Sequence, residues 1–218
     1  MAIRRAVLAL LLMLQSAPSA AQQTDGLQLR VEEGGRETGR ESFTLQPGRG
    51  RGAEGSTLTA SARYPAIGPT TQLQAVLERT PDFSLAKFQL EVESPAGPTV
   101  ILAAGSGARL IVRTVARGSE SGRELPGGPD VVLLDEGVHS LFVTVANLAT
   151  PAGRRLTAIY PRSGRRAAFT ARRESGGDGG PIRVTLTGDI AGTLVTDADG
   201  GLRRLELPGR NLVVSRAE

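Results

Sequence analysis

Along most of this chain, apolar and polar residues alternate in short runs that glycine or proline separates. Leu27, Leu29 and Val31 form the first run, and residues 73–77 and 88–92 repeat the pattern. A period of two places the apolar side chains on one face of a β-strand. Because the runs recur roughly every 8–15 residues, the spacing of an antiparallel meander, we expect an antiparallel sheet of about ten strands.

Residues 130–149 interrupt this alternation with the most apolar segment after the N-terminus, and Gly137 is their only glycine or proline. Five apolar residues in this segment follow the spacing i, i+3, i+4, i+7 and i+10, which defines one face of a helix. They are Val138, Leu141, Phe142, Val145 and Leu148. The spacing favours one short helix here.

The ends of this helix are also marked in the sequence. Asp135 precedes it as an N-cap acceptor, and Pro151 with Gly153 follows as a stop signal. The β-branched residues Val143 and Thr144 are typical of a strand instead. The choice between helix and strand for residues 135–149 therefore stays open from the pattern alone.

A single apolar helix among many strands needs a sheet to bury it, because packed layers share one core. A sheet of this size also tends to curl. We therefore expect a mainly β protein in which a curved antiparallel sheet, a half-barrel or open barrel, packs one short helix against its concave face. Residues 118–129, which lack the alternation, are predicted to be the loop that leads into the helix.

Residues 1–21 have the pattern of a Sec-type signal peptide, and residues 22–218 are predicted to form a single antiparallel β domain. Arg4 and Arg5 precede a short apolar run, and Ser19, Ala20 and Ala21 form a small-residue cleavage site. We expect export to the periplasm or the cell exterior. No later apolar run approaches the length of a membrane span.

Composition narrows the classes of function. The formal net charge is +4, but Arg4 and Arg5 supply two of these charges, so the mature chain is only slightly basic. The chain has no cysteine, which excludes disulfides, zinc–thiolate sites and a cysteine nucleophile. Aromatic residues are few, whereas sugar-binding clefts and single-stranded nucleic-acid platforms need exposed rings. We expect no nucleic-acid partner, and nothing in the sequence indicates an oligomeric state.

The residues that could carry catalysis are close together in sequence. His139, the only histidine, is next to Ser140 and near Asp135. Members of a Ser-His-Asp triad come from separate elements and are recognised by their geometry, and the chain has no Gly-x-Ser-x-Gly elbow. We predict no catalytic residue, and we interpret His139 as a hydrogen-bonded structural residue or one at the solvent edge.

The only sequence resembling a metal loop is the TDADGG segment, which contains Asp197 and Asp199. A calcium loop of the EF-hand type needs a glutamate at its twelfth position, and Pro208 stands there. Asp-Gly between alternating runs is typical of a hairpin turn. We therefore predict a turn, no metal site and no cofactor.

Three segments together carry a family resemblance: EEGGRETGRESFTL, LLDEGVHSLFVTVANL and TDADGGLRRLELP. Their order after a signal peptide resembles uncharacterised periplasmic proteins similar to the LolA/LolB-type lipoprotein-carrier half-barrels. The resemblance implies a curved sheet that wraps helical segments and forms an apolar ligand cavity. The chain departs from the carriers because it has fewer helical segments, few aromatic residues and no lipid anchor.

These observations predict an exported, non-enzymatic protein of the bacterial cell envelope that binds an apolar ligand, such as a lipid or a lipidated segment. The residues expected to line the ligand site are Val138, Leu141, Phe142 and Val145. The alternative is a structural or interaction scaffold without a small ligand, which acts through its sheet edges on an envelope protein. A hydrolase that uses His139 has the least support.

Overall fold

The structure is a computed structural model, and it describes residues 26–65, 69–174 and 180–217. The predicted signal peptide, residues 1–21, lies outside the described residues. The described part of the chain is mainly β, with one short α-helix.

Fifteen strands form one sheet. The strands are β1 Leu27–Glu33, β2 Arg36–Arg49, β3 Ala53–Tyr64, β4 Thr71–Arg79, β5 Leu85–Glu93, β6 Thr99–Ser106, β7 Arg109–Ala116, β8 Ser119–Pro126, β9 Val131–Leu133, β10 Arg154–Ile159, β11 Arg166–Arg173, β12 Ile182–Gly188, β13 Gly192–Thr196, β14 Leu202–Leu207 and β15 Leu212–Arg216. The helix α1 is Val143–Leu148, and a 3₁₀ turn, His139–Phe142, leads directly into it.

The sheet consists of two meanders joined side by side. The order across the sheet runs from β8 down to β1, then from β15 down to β9, so β1 and β15 form the joint. Every neighbouring pair is antiparallel except β9 and β10, which are parallel. The strands β8 and β9 are consecutive in the chain, yet they lie at the two opposite edges of the sheet.

Alternation decides which side of each strand is buried, as the sequence predicts. In β4, Leu73, Ala75 and Leu77 are buried while Gln72 and Gln74 are exposed. The inward residues of the strands join the apolar residues of the central segment, residues 134–149, in one hydrophobic core. This core forms because the inner face of the sheet and the central segment can remove their apolar surface from water only against each other.

The central segment is helical, as the spacing favours, but the helix is shorter than expected. Val131–Leu133, which immediately precede the segment, form strand β9, and the helical turns begin only at His139. The predicted N-cap role of Asp135 is therefore wrong: its carboxylate accepts a hydrogen bond from the N–H of Gly137 and binds Arg162. The β-branched residues Val131 and Val132, just before the segment, pair in parallel with β10. The local sequence does not reveal this pairing.

The sheet curls around this segment. The 3₁₀ turn contacts β2 in one meander, while α1 contacts β11, β12 and β13 in the other. The two edges also approach each other, since the Arg123 guanidinium of β8 donates a hydrogen bond to the carbonyl of Pro161, just after β10. The edge strands β8 and β9 are not paired with each other, so the sheet is open.

The strand number exceeds the expected ten or so. The clearest error concerns residues 118–129, which were predicted to be a loop, because they contain the eight-residue strand β8. An edge strand that is exposed on both faces has no apolar alternation, and without alternation its sequence does not indicate a strand.

Candidate functional site

The four residues expected to line a ligand site are packed inside the protein. Val138, Leu141 and Val145 are 0% exposed, and Phe142 is 2% exposed. Protein interiors at such burial are close-packed. In the described part of the chain, the central segment thus occupies the space in which a ligand of the concave face would sit. That these four residues contact a ligand stays a prediction.

A buried carboxylate holds the start of the helical turns. Glu41 of β2 is 1% exposed, and its two carboxylate oxygens accept hydrogen bonds from the backbone N–H groups of His139 and Ser140 at 2.8 and 2.9 Å. The first N–H groups of a helical segment have no partner within it, and a negative charge is favourable at that end. Glu41 therefore caps the segment from a strand that lies almost a hundred residues earlier in the chain.

Sequence reasoning missed Glu41, although the sequence contains a signal. Its position is in phase with Phe43, which the alternation places on the inner face of the same strand. A charged residue at an inward position needs a buried hydrogen-bond partner. The identity of that partner does not follow from the sequence, because the central segment is distant along the chain.

The ring of His139 is buried beside Glu41 and Tyr64. Its Nδ1 is 3.1 Å from the Tyr64 hydroxyl and 3.8 Å from Glu41 Oε2. Burial, together with the negative charge of Glu41, raises the pKa of Tyr64 well above its usual range. The phenol therefore keeps its proton, and it donates that proton to Nδ1 in the tautomer of His139 that has its own N–H at Nε2.

This environment agrees with the interpretation of His139 as a hydrogen-bonded structural residue, because the ring is 1% exposed. The Ser-His-Asp grouping is not assembled: Asp135 binds Arg162, and the hydroxyl of Ser140 has no partner among the described residues. His139 Nε2 is likewise buried without a partner there. Space for the ring pair exists because Gly39 has no side chain, and a Cβ at that position would overlap the Tyr64 ring.

Two arginines bind carbonyl groups in the second half of the helical segment. Arg79 at the end of β4 donates to the carbonyl of Thr144 at 3.2 Å, and Arg173 at the end of β11 donates to the carbonyl of Ala146 at 3.1 Å. Positive charge is favourable at a helix C-terminus. Burial lowers the pKa of Arg79 to about 10. The segment is thus fastened at both ends by charged side chains from three strands of the sheet.

A second ion pair closes the end of the sheet where the central segment enters. Asp135 is 1% exposed, and both of its oxygens accept hydrogen bonds from the Arg162 guanidinium at 2.7 Å. Bidentate pairs of this kind are directional as well as strong. The pair therefore fixes the turn that precedes His139 to the connection between β10 and β11.

The TDADGG segment is a turn, as its sequence predicts. Asp197 accepts a hydrogen bond from the N–H of Gly201 at 2.6 Å and one from Arg216 at 2.7 Å. Within the residues that the structure describes, no three histidine, aspartate or glutamate side chains converge as metal ligands. In the same residues, no helix is long and apolar enough to cross a membrane.

A cleft lies at the end of the sheet near Arg79. It has a volume of about 620 Å³, and hairpin connections together with the link between β8 and β9 form its walls. Its apolar lining includes Leu85, Leu110 and Val131, while Arg49 and Arg109 stand at its polar side. The cleft lies next to the gap between the two edges of the sheet.

Among the strands of the described residues, none pairs with the outer edge of β8, and this free edge is the other exposed feature of the region. Seven of its eight residues are exposed, and Leu125 alone is half-buried. Two large apolar side chains of the neighbouring strand β7 are also exposed, Ile111 at 46% and Val115 at 38%. Unpaired strand edges and exposed apolar side chains are the features from which strand-adding interfaces are built.

No family model matches this chain, and no curated protein matches it. Two solved structures resemble it. A DUF1089 family protein from Pseudomonas aeruginosa has a TM-score of 0.50 and 17% identity, and the match covers 80% of this chain and 91% of that one. A β-barrel-like protein of the domain of unknown function DUF1849 from Brucella abortus has a TM-score of 0.49 and 10% identity, over 87% and 94% of the two chains. At these identities the likeness concerns the fold, and the chain is structurally similar to β proteins with domain-of-unknown-function labels.

Proposed function

We propose that this protein is an exported, non-enzymatic protein of the cell envelope that acts as an interaction scaffold through an exposed edge of its sheet. One observation carries the proposal: β8 stands at the end of the sheet order and is exposed along almost its whole length. An interior filled by the central segment supports the same function, because a scaffold needs a rigid body rather than a cavity.

Capture from envelope extracts tests this proposal. The protein carries a photo-reactive residue at Ser119 on β8, and the matched control carries it at Glu91, an exposed position in the interior of the sheet on β5. We expect a cross-linked envelope protein from the Ser119 position alone. Equal products from both positions, or none from either, would contradict the scaffold function.

A second candidate is the binding of an apolar ligand, a lipid or a lipidated segment. It is supported by the cleft of about 620 Å³, which combines apolar walls with Arg49, Arg109 and Asp82 and so suits an acyl chain with a polar head group. The resemblance in organisation to the LolA/LolB-type carriers points the same way. In this second candidate function, the ligand binds in the cleft at the end of the sheet. Entry of the ligand into the interior would require displacement of the central segment.

Mass spectrometry of lipids that copurify with the protein from its native host tests the second candidate. We expect a lipid that is lost when the half-buried Leu85 in the cleft is replaced by aspartate and retained when the exposed Ile111 is replaced by aspartate. If no lipid copurifies and acyl chains do not bind, this candidate is wrong.

A further inference from the structure

The pairing of β8 with β7 determines which backbone groups face the free edge. The turn between these strands has two residues, and Ala116 pairs with Ser119 on either side of it. A two-residue hairpin closes with a hydrogen-bonded pair, and hydrogen-bonded and non-hydrogen-bonded pairs then alternate. The N–H and C=O groups of Glu120, Gly122 and Glu124 therefore point away from β7, towards the free edge.

The side chains at this edge are acidic on the outer face. Glu120 and Glu124 lie on the same face as the exposed residues of β7, and they contact Arg113 and Arg109 at 2.5 and 3.7 Å. All four side chains are more than half exposed, and ion pairs of this kind are weak. A carboxylate accepts several hydrogen bonds at once, so both glutamates can take a second basic partner.

Between the two glutamates, Gly122 leaves a notch in the outer face. Nothing lies within 4 Å of the position that a Cβ of Gly122 would occupy. On the adjacent strand, Ile111 and Val115 pair with Glu124 and Glu120 and flank the notch. On a further strand, a large apolar side chain directly opposite Gly122 has room to lie over the notch, because directly opposite side chains of adjacent strands are in contact.

We propose that β8 binds an extended segment of a partner protein as an added antiparallel strand, with basic side chains opposite Glu120 and Glu124 and a large apolar side chain opposite Gly122. This inference rests on the proposed scaffold function and names the partner of that edge. Main-chain hydrogen bonds to β8 supply affinity, and the alternating side chains supply specificity, as in other cases of strand addition.

Two registers centred on the middle of this edge are unfavourable for a second copy of the same chain. A two-fold axis through Gly122 would place Glu120 of each copy opposite Glu124 of the other. An axis through Arg123 would place the two Arg123 side chains opposite each other. Like charges directly opposite are destabilising in a sheet, so the charges of β8 oppose self-pairing and favour a basic partner.

The test measures binding of a fluorescein-labelled heptapeptide with arginine at its second and sixth positions, tyrosine at the fourth and threonine elsewhere. The matched control peptide carries glutamate in place of both arginines. Fluorescence anisotropy with the purified protein should show saturable binding of the arginine peptide, at least about tenfold tighter than binding of the glutamate peptide. Equal binding of the two peptides, or no binding of either, would overturn the proposal.

Two variants and one control variant test whether the peptide binds at β8. Gly122→Pro removes an N–H that faces the free edge, which an edge strand tolerates, and should weaken binding by at least about tenfold. Ser121→Ala, whose N–H faces β7, should bind as the wild type does. The double variant Glu120→Lys with Glu124→Lys should prefer the glutamate peptide, which remains a test even if the proline variant folds poorly. Unchanged binding by a folded Gly122→Pro protein, or unchanged preference of the double variant, would overturn this assignment. If an envelope protein still cross-links at Ser119 with either of these results, the scaffold function remains supported and only the strand-addition proposal is wrong.

Discussion

At the scale of single residues, Glu41 illustrates why a buried charge can be structural. Its carboxylate is removed from water, and each oxygen receives a backbone N–H that otherwise has no partner. Removal of the side chain would bury two unsatisfied donors. Each buried donor without a partner costs about 1–3 kcal/mol. The loss of this one side chain therefore affects the free energy of unfolding through two donors at once.

We therefore expect Glu41→Ala to lower the free energy of unfolding by about 3 kcal/mol, since two buried donors lose their acceptor. Glu41→Gln retains one amide oxygen and should lose about half as much. Urea unfolding of both variants measures this. The control is Glu37→Ala on the same strand, whose exposed ion pair with Arg40 is worth less than about 1 kcal/mol. Equal losses at Glu37 and Glu41 would show that Glu41 has no capping role.

Tyr64 makes the free energy of unfolding depend on pH in the alkaline range. Its pKa is raised in the folded protein by burial and by the charge of Glu41, whereas the unfolded side chain releases its proton near pH 10. Above about pH 10 the unfolded state thus binds fewer protons than the folded state, and the free energy of unfolding falls as pH rises. The contribution of Tyr64 is fully present below that pH.

The variant Tyr64→Phe isolates this contribution. At neutral pH it should be less stable than the wild type by about 1 kcal/mol, because His139 Nδ1 loses its donor. Above about pH 10 the difference should narrow, since only the wild type carries the ionisable phenol. Urea unfolding across the alkaline range gives the difference directly. A difference that is constant with pH would mean that the phenol titrates normally.

At the scale of elements, the central segment explains both the success and the limit of the sequence argument. The spacing of Leu141, Phe142 and Val145 predicts a buried helical face, and the structure has one. The spacing does not reveal that the helical turns begin at His139, because Glu41 and not Asp135 supplies the cap. Local patterns report the face of an element, whereas its ends are decided here by residues distant in sequence.

Phe142 tests whether this element is a packed core or the wall of a ligand site. The side chain is 2% exposed, so Phe142→Ala should lower the free energy of unfolding by about 3–5 kcal/mol, the range for a buried phenylalanine. Thermal melts with and without acyl ligands measure both properties. The control Ile111→Ala removes an exposed apolar side chain and should shift stability by less than about 0.5 kcal/mol. A small shift for Phe142→Ala together with a changed ligand response would instead favour a ligand wall.

At the scale of the whole molecule, the joint between the two meanders is the feature that the sequence does not reveal. Alternation predicts most strands, including β15, but gives no information about which strands pair. In the structure, Val31 of β1 lies opposite Val214 of β15, at the two ends of the chain. Because such distant pairing closes a very long loop, it is expected to form late in folding. Burial of the central segment depends on this joint, because each meander supplies part of the surface against which the segment packs.

Two neighbouring residues of β15 test the joint. Val214 is 0% exposed and faces the core, so Val214→Lys would bury an unpaired charge at a cost of several kcal/mol. That is a large part of the ~5–15 kcal/mol that stabilises a domain, and we expect the variant to lose its cooperative thermal transition. Val213 faces outward between Glu32 and Glu206, so Val213→Lys places a positive charge between two carboxylates and should melt within a few degrees of the wild type. Loss of the transition in both variants, or in neither, would contradict the placement of β15 in the sheet, which turns Val214 towards the core and Val213 towards the opposite face.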